Sequence, residues 1–513
     1  MMNPVIPILV IVPLAGAFLM MLLGRLIRDL PKYFTSVIML FLVIASFYSL
    51  INIGPGISVY KTGGWEPINK IPIGIYMVLD GYSAIMLCII STIGFLSAVY
   101  SISFIKRYTG ENYYYALFFL MVAGMNGVVL SGDLFNIYVF LEISVIASYA
   151  LVAFGVGKSE LEASFKYQVL GSIASFLILF GIGLIYWKTK TLNIADIREV
   201  FKNGYDNTYY VFVQLLILSG FGLKAAIMPF HAWLPDAHSS APSPISAMLS
   251  GVFIKAVGIY VIIRLFFNMF VISEEVALLI TSLGALSMVL GVFLAVGQWD
   301  IKRLLAYSSI SQMGYVILSA GAGMILISRG EKPEVAALAI TGGLFHLINH
   351  AAFKGLLFLN AGAIEYRLGT RNLKEMGGLS EKMPITSATS FIASMSISGI
   401  PPFNGFFSKL IIIVACVRAR FYLLAILAVI VSIVTLATFL KLQRYAFYNK
   451  GSDNESHSVK EVDGPMVFSM ITLGILCILL GLLAFPSFRE LVLKPAVDIL
   501  MNADIYIVKI IGM

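Results

Sequence analysis

The sequence predicts an all-α integral membrane protein with about fourteen transmembrane helices, two inverted five-helix repeats and two broken helices. Three observations lead to this fold class. The 513 residues are 59% hydrophobic and 12% charged, about half the charged fraction of a soluble domain. Apolar segments of about 20 residues, long enough to cross a bilayer as helices, follow one another along almost the whole chain. Similar polar segments recur within these spans at separations of about 170 residues.

Breaking the apolar runs at charges and turn residues gives about fourteen spans. Their approximate limits are 4–24, 32–53, 79–105, 112–131, 133–155, 162–187, 208–234, 243–269, 275–296, 302–327, 335–363, 385–418, 421–447 and 464–485. The first span has neither a basic leader nor a small-residue cleavage site, so we predict that it is retained and is not a signal peptide. The tail after 485 spaces its charges along an apolar stretch, which predicts an interfacial amphipathic helix rather than a fifteenth crossing.

Lys and Arg in alternate loops predict the orientation of the chain. An even number of spans places both termini on the same side of the membrane. The richer loop set, with about 16 basic residues against about 13, contains Arg25, Arg28, Lys32, Lys106, Arg107, Lys302, Arg303 and the loops 364–384 and 448–463. We call the side that carries these loops the basic side, and we predict that it is cytoplasmic and that both termini lie outside.

Two pairs of similar segments predict an internal repeat. MPFHAWLPDA at 228–237 is similar to PPFNGFFSKL at 401–410, and SGDLFNIYVFLEIS at 131–144 aligns with QWDIKRLLAYSSIS at 298–311. Five spans per copy is an odd number, so the second copy would be inverted, as in many transporters; chance similarity between apolar helices is the alternative. The predicted units are 1–111 (spans one to three), 112–269 (first repeat), 275–447 (second repeat) and 464–513 (last span and tail).

Ionisable side chains occur in the interior of the predicted spans, where they are expensive. The five are Glu142, Lys224, Lys255, Lys354 and Lys409. Each would cost about 2.5–3.5 kcal/mol at the centre of a helix that faces lipid. We therefore expect these groups to face one another or water, where burial and pairing allow them to change protonation near neutral pH. A static ion pair or snorkelling is the alternative, which we favour for Arg264 and Lys166 near span ends.

Predicted span eleven carries a polar stripe of His346, His350 and Lys354, because residues four apart lie on one face of a helix. Imidazole has an unperturbed pKa near 6.5 and two ring nitrogens, so such a stripe can pass protons. Two buried histidines bonded to the backbone are the ordinary alternative. Haem ligation by His346 and His350 ranks last, because the two would compete for one face of an iron and no partner pair occurs elsewhere.

Prolines predict that two spans are broken. The interrupting residues are Pro229 and Pro235 in span seven, and Gly399, Pro401 and Pro402 in span twelve. The backbone groups that a break frees are tolerated in a membrane only beside protein or water. Lys224 and Lys409 lie within about two turns of these breaks, so each break would place hydrated backbone beside an amine. A kink that serves packing alone is the alternative.

Cysteine usage and charge exclude several classes of protein. Cys88, Cys416 and Cys477 are isolated in apolar segments without a CxxC motif, so the sequence predicts neither an iron–sulfur cluster nor a cysteine-ligated zinc site. We predict no cofactor and no metal. The net charge of +8 fits loops beside anionic lipid headgroups, and it requires no nucleic acid.

Four stretches resemble the antiporter-type subunits of respiratory complex I and its relatives, the multi-subunit Mrp-type Na⁺/H⁺ antiporters and the energy-converting membrane-bound hydrogenases. They are FLEISVIASY around Glu142, GFGLKAAIMPFHAWLPDAHSSAPSPISAMLSGVFIKAVGIY at 220–260, LFHLINHAAFKGLLFL at 344–359 and SGIPPFNGFFSK at 398–409. The length of the chain and the residues of these motifs most resemble those of the Mrp D-type subunit and of the large antiporter-like subunit of archaeal membrane-bound hydrogenase.

The resemblance implies fourteen helices, with helices seven and twelve broken and five-helix repeats inverted. The roles that it implies are Glu142 as partner of Lys224, then Lys255, His346 and His350 as a central relay, and Lys409 as the exit. It also implies other membrane subunits as partners, H⁺ as the transported ion with Na⁺ as the alternative, and the plasma membrane of a prokaryote. If the complex is an oxidoreductase, we expect its redox centres in other chains.

Two other functions remain open from the sequence. One is a self-sufficient Na⁺/H⁺ secondary antiporter, against which the family resemblance argues. The other is a redox subunit that binds quinone or haem near PFHAWLPDAH, against which the missing ligand set argues. Purification as a lone chain or as an assembly, and an optical spectrum, would distinguish the three.

Overall fold

The structure is a computed structural model that describes residues 4–24, 29–54, 56–65, 74–204, 207–449 and 459–511. Arg25, Arg28 and most of the predicted loop 448–463 lie outside these ranges, and the orientation of the chain stays a prediction. The first elements are α1 (Val5–Leu23), α2 (Leu30–Ile53), β1 (Ser58–Lys61), β2 (Tyr76–Leu79), α3 (Gly81–Phe104), α4 (Glu111–Leu130), α5 (Leu134–Val152), α6 (Lys158–Thr189), α7 (Ile194–Lys202) and α8 (Asn207–Lys224). Strands β1 and β2 pair antiparallel, with Ser58 opposite Leu79.

The chain continues through the central and second-half helices. These are α9 (Trp233–Ser240), α10 (Ser243–Met248), α11 (Tyr260–Asn268), α12 (Glu274–Val296), α13 (Ile301–Ser328), α14 (Pro333–Leu368), α15 (Leu379–Lys382), α16 (Pro384–Ser398), α17 (Asn404–Arg418), α18 (Tyr422–Gln443) and α19 (Gly464–Leu479). The chain between α10 and α11 is wound mainly as π-helix, at Leu249–Phe253 and Lys255–Ile259. The tail forms α20 (Pro486–Val492), α21 (Lys494–Met501) and α22 (Ala503–Ile511).

Twelve helical segments in the described ranges are long and apolar enough to cross a membrane. Each coincides with one of the predicted spans. The two predicted spans outside this set, 208–234 and 385–418, are interrupted helices, so the total of fourteen crossings stays a prediction. The mostly helical, multi-pass fold class is confirmed.

The helices that carry Lys255 and the stripe of span eleven occupy the centre of the bundle. The segment Ser243–Asn268 is entirely buried, and α13 and α14 are nearly so. By contrast α1, α2 and α6 expose large apolar side chains such as Phe18 and Phe176, as lipid-facing helices do. Lys255 and the stripe of His346, His350 and Lys354 are therefore surrounded by protein, whereas Glu142 on α5 is partly exposed.

The first broken helix is interrupted at 225–232, between α8 and α9, where the Met228–Pro229 peptide bond is cis. Other parts of the protein bind the freed backbone groups. The indole of Trp233 donates to the carbonyl of Leu223 at 2.9 Å, and the N–H of Met228 donates to the hydroxyl of Ser287 at 2.9 Å. The break thus survives because protein lines it.

Pro235 does not interrupt the helix, contrary to the sequence-based prediction. It lies in the first turn of α9, which runs from Trp233 to Ser240. Proline is tolerated there because the first N–H groups of a helix have no partner inside the helix. The break coincides with Pro229 instead.

The second broken helix is interrupted at 399–403, between α16 and α17. Gly399 has a positive φ of 78°, and the Pro401–Pro402 bond is cis. A left-handed residue at this position ends a helix at little cost only when it is glycine. Helix α16 therefore ends on one side of the break, and α17 begins on the other.

The second break is tightly packed at Gly405. A Cβ on Gly405 would lie 1.9 Å from the carbonyl oxygen of Ser396. We expect Gly405→Ala to push α17 away from α16 and to lower the free energy of unfolding by about 1–3 kcal/mol, the usual cost of overpacking. The thermal midpoint of the purified protein measures this loss. Gly464→Ala is the matched control, since nothing lies within 4 Å of its Cβ position, and equal midpoints for the two variants would contradict the prediction.

Corresponding features recur in the two halves at the spacing of the aligned segments 131–144 and 298–311. The carboxylates of Asp133 and Asp300 cap α5 and α13. The hydroxyls of Ser144 and Ser311 each donate to a carbonyl of the preceding helix, at 2.9 and 2.7 Å. These pairs support the predicted repeat, whose boundaries stay a prediction.

The tail differs from the single interfacial helix predicted from the sequence. It turns at Leu493 and again at Asn502, which divide it into three short helices, and Pro495 lies in the first turn of α21. The tail packs back on the bundle, since the amide of Asn268 donates to the carbonyl of Ile499 at 2.9 Å. None of the described tail helices is long enough to cross a membrane.

Candidate functional site

Lys224 and Glu142 form the first pair of the site. Lys224 is the last residue of α8, immediately before the break, and its side chain is 1% exposed. Its Nζ lies 3.8 Å from Oε1 of Glu142, whose side chain on α5 is 27% exposed. The structure thus brings together the two residues that the resemblance paired.

Ser175 of α6 connects the members of this pair. Lys224 Nζ donates to the Ser175 hydroxyl and to the carbonyl of Gly171, both at 2.9 Å. Ser175 in turn donates to the carboxylate of Glu142 in a short hydrogen bond. A hydroxyl that both accepts and donates can relay a proton between an amine and a carboxylate.

Lys255 lies on the π-helical segment Lys255–Ile259 and is fully buried. Its Nζ donates to the carbonyl of Ser250 at 2.8 Å and to that of Gly251. These acceptors lie four and five residues before it on its own helix. Wide π turns occur often at functional sites, and here the altered winding accompanies the buried amine.

His346 occupies the centre of α14 with both ring nitrogens bonded. Its Nδ1 lies 3.0 Å from the hydroxyl of Ser408 on α17, and its Nε2 lies 3.2 Å from Oε1 of Gln312 on α13. The ring therefore bridges three helices. Neither nitrogen is free for an iron, which argues against the haem alternative.

His350 and Lys354 continue the stripe on α14, and both are fully buried. Lys354 Nζ donates to the carbonyl of Leu305 at 2.7 Å and to the hydroxyl of Ser308. Neither ring nitrogen of His350 has a hydrogen-bond partner among the described residues. Buried polar groups of this kind are usually satisfied by water.

Lys409 lies on α17 just after the second break, with 3% of its surface exposed. Its Nζ donates to the carbonyl of Ile397 at 2.8 Å. The ammonium also lies 4.9 Å from the ring centre of Tyr315, where a cation–π contact is favourable. A carbonyl that the break leaves without an N–H donor thus binds the second amine.

Sequence reasoning missed the polar face of α13 that joins these groups. Ser308 bonds Lys354, Gln312 bonds His346, and the hydroxyl of Ser309 lies 2.7 Å from that of Ser250 beside Lys255. The segment YSSISQ at 307–312 was a visible signal, as a polar run within an apolar helix. We call Ser308, Ser309 and Gln312 the α13 bridge.

His238 was also missed, although it belongs to the quoted stretch PFHAWLPDAH. It lies on α9, is fully buried, and has no hydrogen-bond partner in the described chain for either nitrogen. A second buried imidazole without a described partner therefore lies on the short helix that follows the first break.

Two other charged residues form static ion pairs, as predicted. Lys166 lies 2.7 Å from Glu162 and 3.2 Å from Asp236. Arg264 lies 2.8 Å from the carboxylate of Asp80 in a fully buried pair. Neither residue contacts the buried lysines and histidines described above, so both lie outside the candidate site.

Comparisons with known proteins agree with this architecture. The family described as NADH:quinone oxidoreductase/Mrp antiporter, TM, matches residues 131–435, and that described as NADH-Ubiquinone oxidoreductase (complex I), chain 5 N-terminus, matches residues 65–124. The D-type subunit of the Na(+)/H(+) antiporter of Alkalihalophilus pseudofirmus is 33% identical over 513 residues, which cover 99% of each chain.

Two solved complexes contain chains of the same fold. A chain of the Mrp complex from Dietzia sp. DQ12-45-1b is 27% identical, with a TM-score of 0.88 and 99% of both chains covered. A chain of the membrane-bound sulfane sulfur reductase, an archaeal respiratory membrane complex, is 27% identical, with a TM-score of 0.86 and 99% and 100% covered. Fold and buried charges define a multi-pass membrane protein of the kind found in multi-subunit membrane complexes. This chain belongs to the NADH:quinone oxidoreductase/Mrp antiporter family.

Proposed function

We propose that this chain is the proton-translocating, antiporter-like subunit of a multi-subunit complex in a prokaryotic plasma membrane, of the Mrp antiporter or energy-converting hydrogenase type. The observation that supports it best is the α13 bridge. Ser308 bonds Lys354 and Gln312 bonds His346, and Ser309 bonds the hydroxyl of Ser250, whose carbonyl accepts from Lys255. Titratable groups that lie along one buried polar face in this way can exchange protons along the membrane plane when water completes the steps between them.

The chemistry of the buried lysines and histidines favours H⁺ over Na⁺ as the transported ion. Lysine offers three donors and no acceptor, so an ammonium cannot coordinate a metal cation, and hard cations require several oxygen ligands. Glu142 is the one carboxylate among the seven predicted site residues. In this proposal a proton moves from the Lys224 pair through Lys255 and the histidines to Lys409, and water completes the steps between them.

We include His350 and His238 in the proposed relay, where they would act between the buried lysines. Both rings are buried and leave four nitrogen atoms without protein partners in the described chain. Water molecules bonded to these nitrogens would connect them with Lys255 and Lys354. This assignment adds His238 to the residues predicted from the sequence.

The exposure of Glu142 supports the need for another subunit. Its carboxylate is partly exposed on the lateral face of α5, among apolar side chains such as Val139 and Ile146 that face outward. A carboxylate on a lipid-facing surface at this depth would be costly. A neighbouring membrane subunit that covers this face removes the cost and can sense the charge of Glu142.

We expect Glu142→Gln to slow proton transport by roughly tenfold and to displace its pH profile, because close charges in a low-dielectric site interact by several kcal/mol. The glutamine keeps the size of the side chain and an acceptor for Ser175, so folding is preserved. Proton uptake by vesicles that contain the intact complex, followed as a function of pH, measures the rate and its profile. Glu162→Gln, on the exposed ion pair of α6, is the control. A wild-type rate and profile for Glu142→Gln would count against the pairing.

A further inference from the structure

Helix α16, the first half of the second broken span, is dense in hydroxyl groups. Seven of its 15 residues are Ser or Thr, and all seven are buried. Helix α8, the first half of the other broken span, has two Ser or Thr in 18 residues. Forming a half-helix beside a break therefore does not itself require hydroxyls.

Four of these hydroxyls share one face of α16. They are Thr386, Ser390, Ser394 and Ser398, each four residues after the last. This spacing turns the helix only about 40° per step, and the four residues extend over roughly 18 Å along its axis. We call them the hydroxyl stripe.

One end of the stripe lies at the basic side of the membrane. The Thr386 hydroxyl donates to the Glu461 carboxylate at 2.6 Å. Glu461 is partly exposed, and its backbone carbonyl accepts a 2.7 Å hydrogen bond from Arg367. Arg367 lies in the predicted basic loop 364–384. The same carboxylate accepts from the N–H groups of Ile385 and Thr386, so it caps α16 at the start of the stripe.

The middle of the stripe contains amide groups that protein does not satisfy. Gln443 Nε2 donates to Ser390 at 2.9 Å and to Ser394 at 2.8 Å, and Thr389 donates to Asn360 Oδ1 at 3.1 Å. Gln443 Oε1 and Asn360 Nδ2 are buried without a hydrogen-bond partner in the described chain. Because such atoms are rarely left unpaired, each indicates a water position beside the stripe.

The other end of the stripe reaches the second break. Ser398 is the last residue of α16 and adjoins Ile397, whose carbonyl accepts from Lys409 Nζ at 2.8 Å. Ser396 donates to Asn404, and Asn404 accepts at its carbonyl from Asn349 at 2.9 Å. Polar groups therefore continue from Glu461 to the buried amine.

A purely structural explanation accounts for part of this pattern. Hydroxyls in membrane helices often bond to the carbonyl four residues earlier, as Ser398 does with Ser394 at 2.7 Å. It does not account for the unpaired amide atoms of Gln443 and Asn360. We propose that the hydroxyl stripe, with Gln443 and Asn360, lines a water-filled path that joins Lys409 to the basic side of the membrane. That protons use the path rests on the proposed function; that water fills it does not.

Cysteine accessibility tests the water in this path. In the intact complex, with the three cysteines of this chain replaced by serine, Thr386→Cys, Ser390→Cys and Ser394→Cys are treated in vesicles with methanethiosulfonate ethyltrimethylammonium, whose permanent positive charge keeps it from crossing the bilayer. Only a thiolate reacts, and thiolates form only where water or polar groups stabilise them. We expect all three to react from the basic side, at least about tenfold faster than lipid-facing thiols of the same helix.

The controls are Ala388→Cys and Phe391→Cys, which lie at the same depth on the exposed face of α16. Rates at 390 and 394 that equal those of the controls would overturn the path, as would reaction from the opposite side alone. Because labelling needs no turnover, this result is independent of the proposed function.

Substitution of Ser394 tests whether protons use the path. Ser394→Thr keeps the hydroxyl and should retain transport, whereas Ser394→Val has the size of threonine without the hydroxyl and should slow transport by about 10²-fold, the lower end for a lost proton-transfer group. Equal rates for the two variants would show that the path is wet but not part of transport. Loss of transport in both, with normal labelling at 390, would show that position 394 serves packing, and would likewise contradict a relay role.

Discussion

Lys224→Ala is expected to abolish proton transport and leave the complex assembled. Among the described residues, Lys224 is the one buried amine that contacts Glu142, and it occupies the last position of α8 beside the break. Alanine cannot bind a proton, and loss of a positioned acid–base group typically slows transfer by about 10²–10⁴-fold. Glu142 keeps its bond from Ser175 and its partial exposure. The remaining carboxylate is therefore not a buried charge without a partner, and the variant should still fold.

Lys166→Ala is the matched control for this variant. Lys166 lies near the same break but pairs with Glu162 and Asp236 at the protein surface, where ion pairs contribute little. Proton uptake by vesicles should therefore stay near the wild-type rate in Lys166→Ala and disappear in Lys224→Ala. Subunit composition after purification shows whether assembly is intact. Full transport by an assembled Lys224→Ala complex would remove Lys224 from the pathway.

The buried charges could be predicted from the sequence because they stand out chemically. A lysine or glutamate inside an apolar span is costly unless it serves a purpose, so Lys224, Lys255 and Lys409 were visible without a structure. Ser309 and Gln312 were not singled out, because serine is common in membrane helices and usually bonds its own backbone. Which hydroxyls face the charged line depends on how α13 packs against α14, and no local pattern contains that information.

Prediction from local sequence also failed where one residue type has two structural roles. Proline breaks a helix in its interior and begins one in its first turn, so Pro229 and Pro235 looked alike in the sequence. His238 was passed over for a related reason. It lies between the predicted spans 208–234 and 243–269, whereas α9 folds it into the buried interior. Helix α9 packs against α6 and α13, and the backbone at the break is bonded by Ser287 of α12; these helices are distant in the sequence.

A second large effect is expected on stability, at the buried pair of Asp80 and Arg264. Arg264 Nη2 lies 2.8 Å from each carboxylate oxygen of Asp80. Asp80 caps α3 through the N–H groups of Tyr82 and Ser83, and the guanidinium lies 5.3 Å from the ring of Tyr506 in the tail. The ion pair joins α3 to α11, and the cation–π contact of the same guanidinium joins both to α22.

Removing the acid alone should be far worse than removing the pair. Asp80→Asn keeps the helix cap, since asparagine caps as well as aspartate, but it leaves Arg264 buried without a counter-charge, at a cost of about 3–5 kcal/mol. Replacing Arg264 as well, in Asp80→Asn/Arg264→Leu, removes the stranded charge and should restore most of the thermal midpoint of the purified protein. Glu274→Gln, which breaks the exposed pair with Arg329, should change the midpoint little. If the double variant were less stable than Asp80→Asn, the hydrogen bonds of Arg264 to Tyr260 and Asn268, rather than its charge balance, would be the larger contribution.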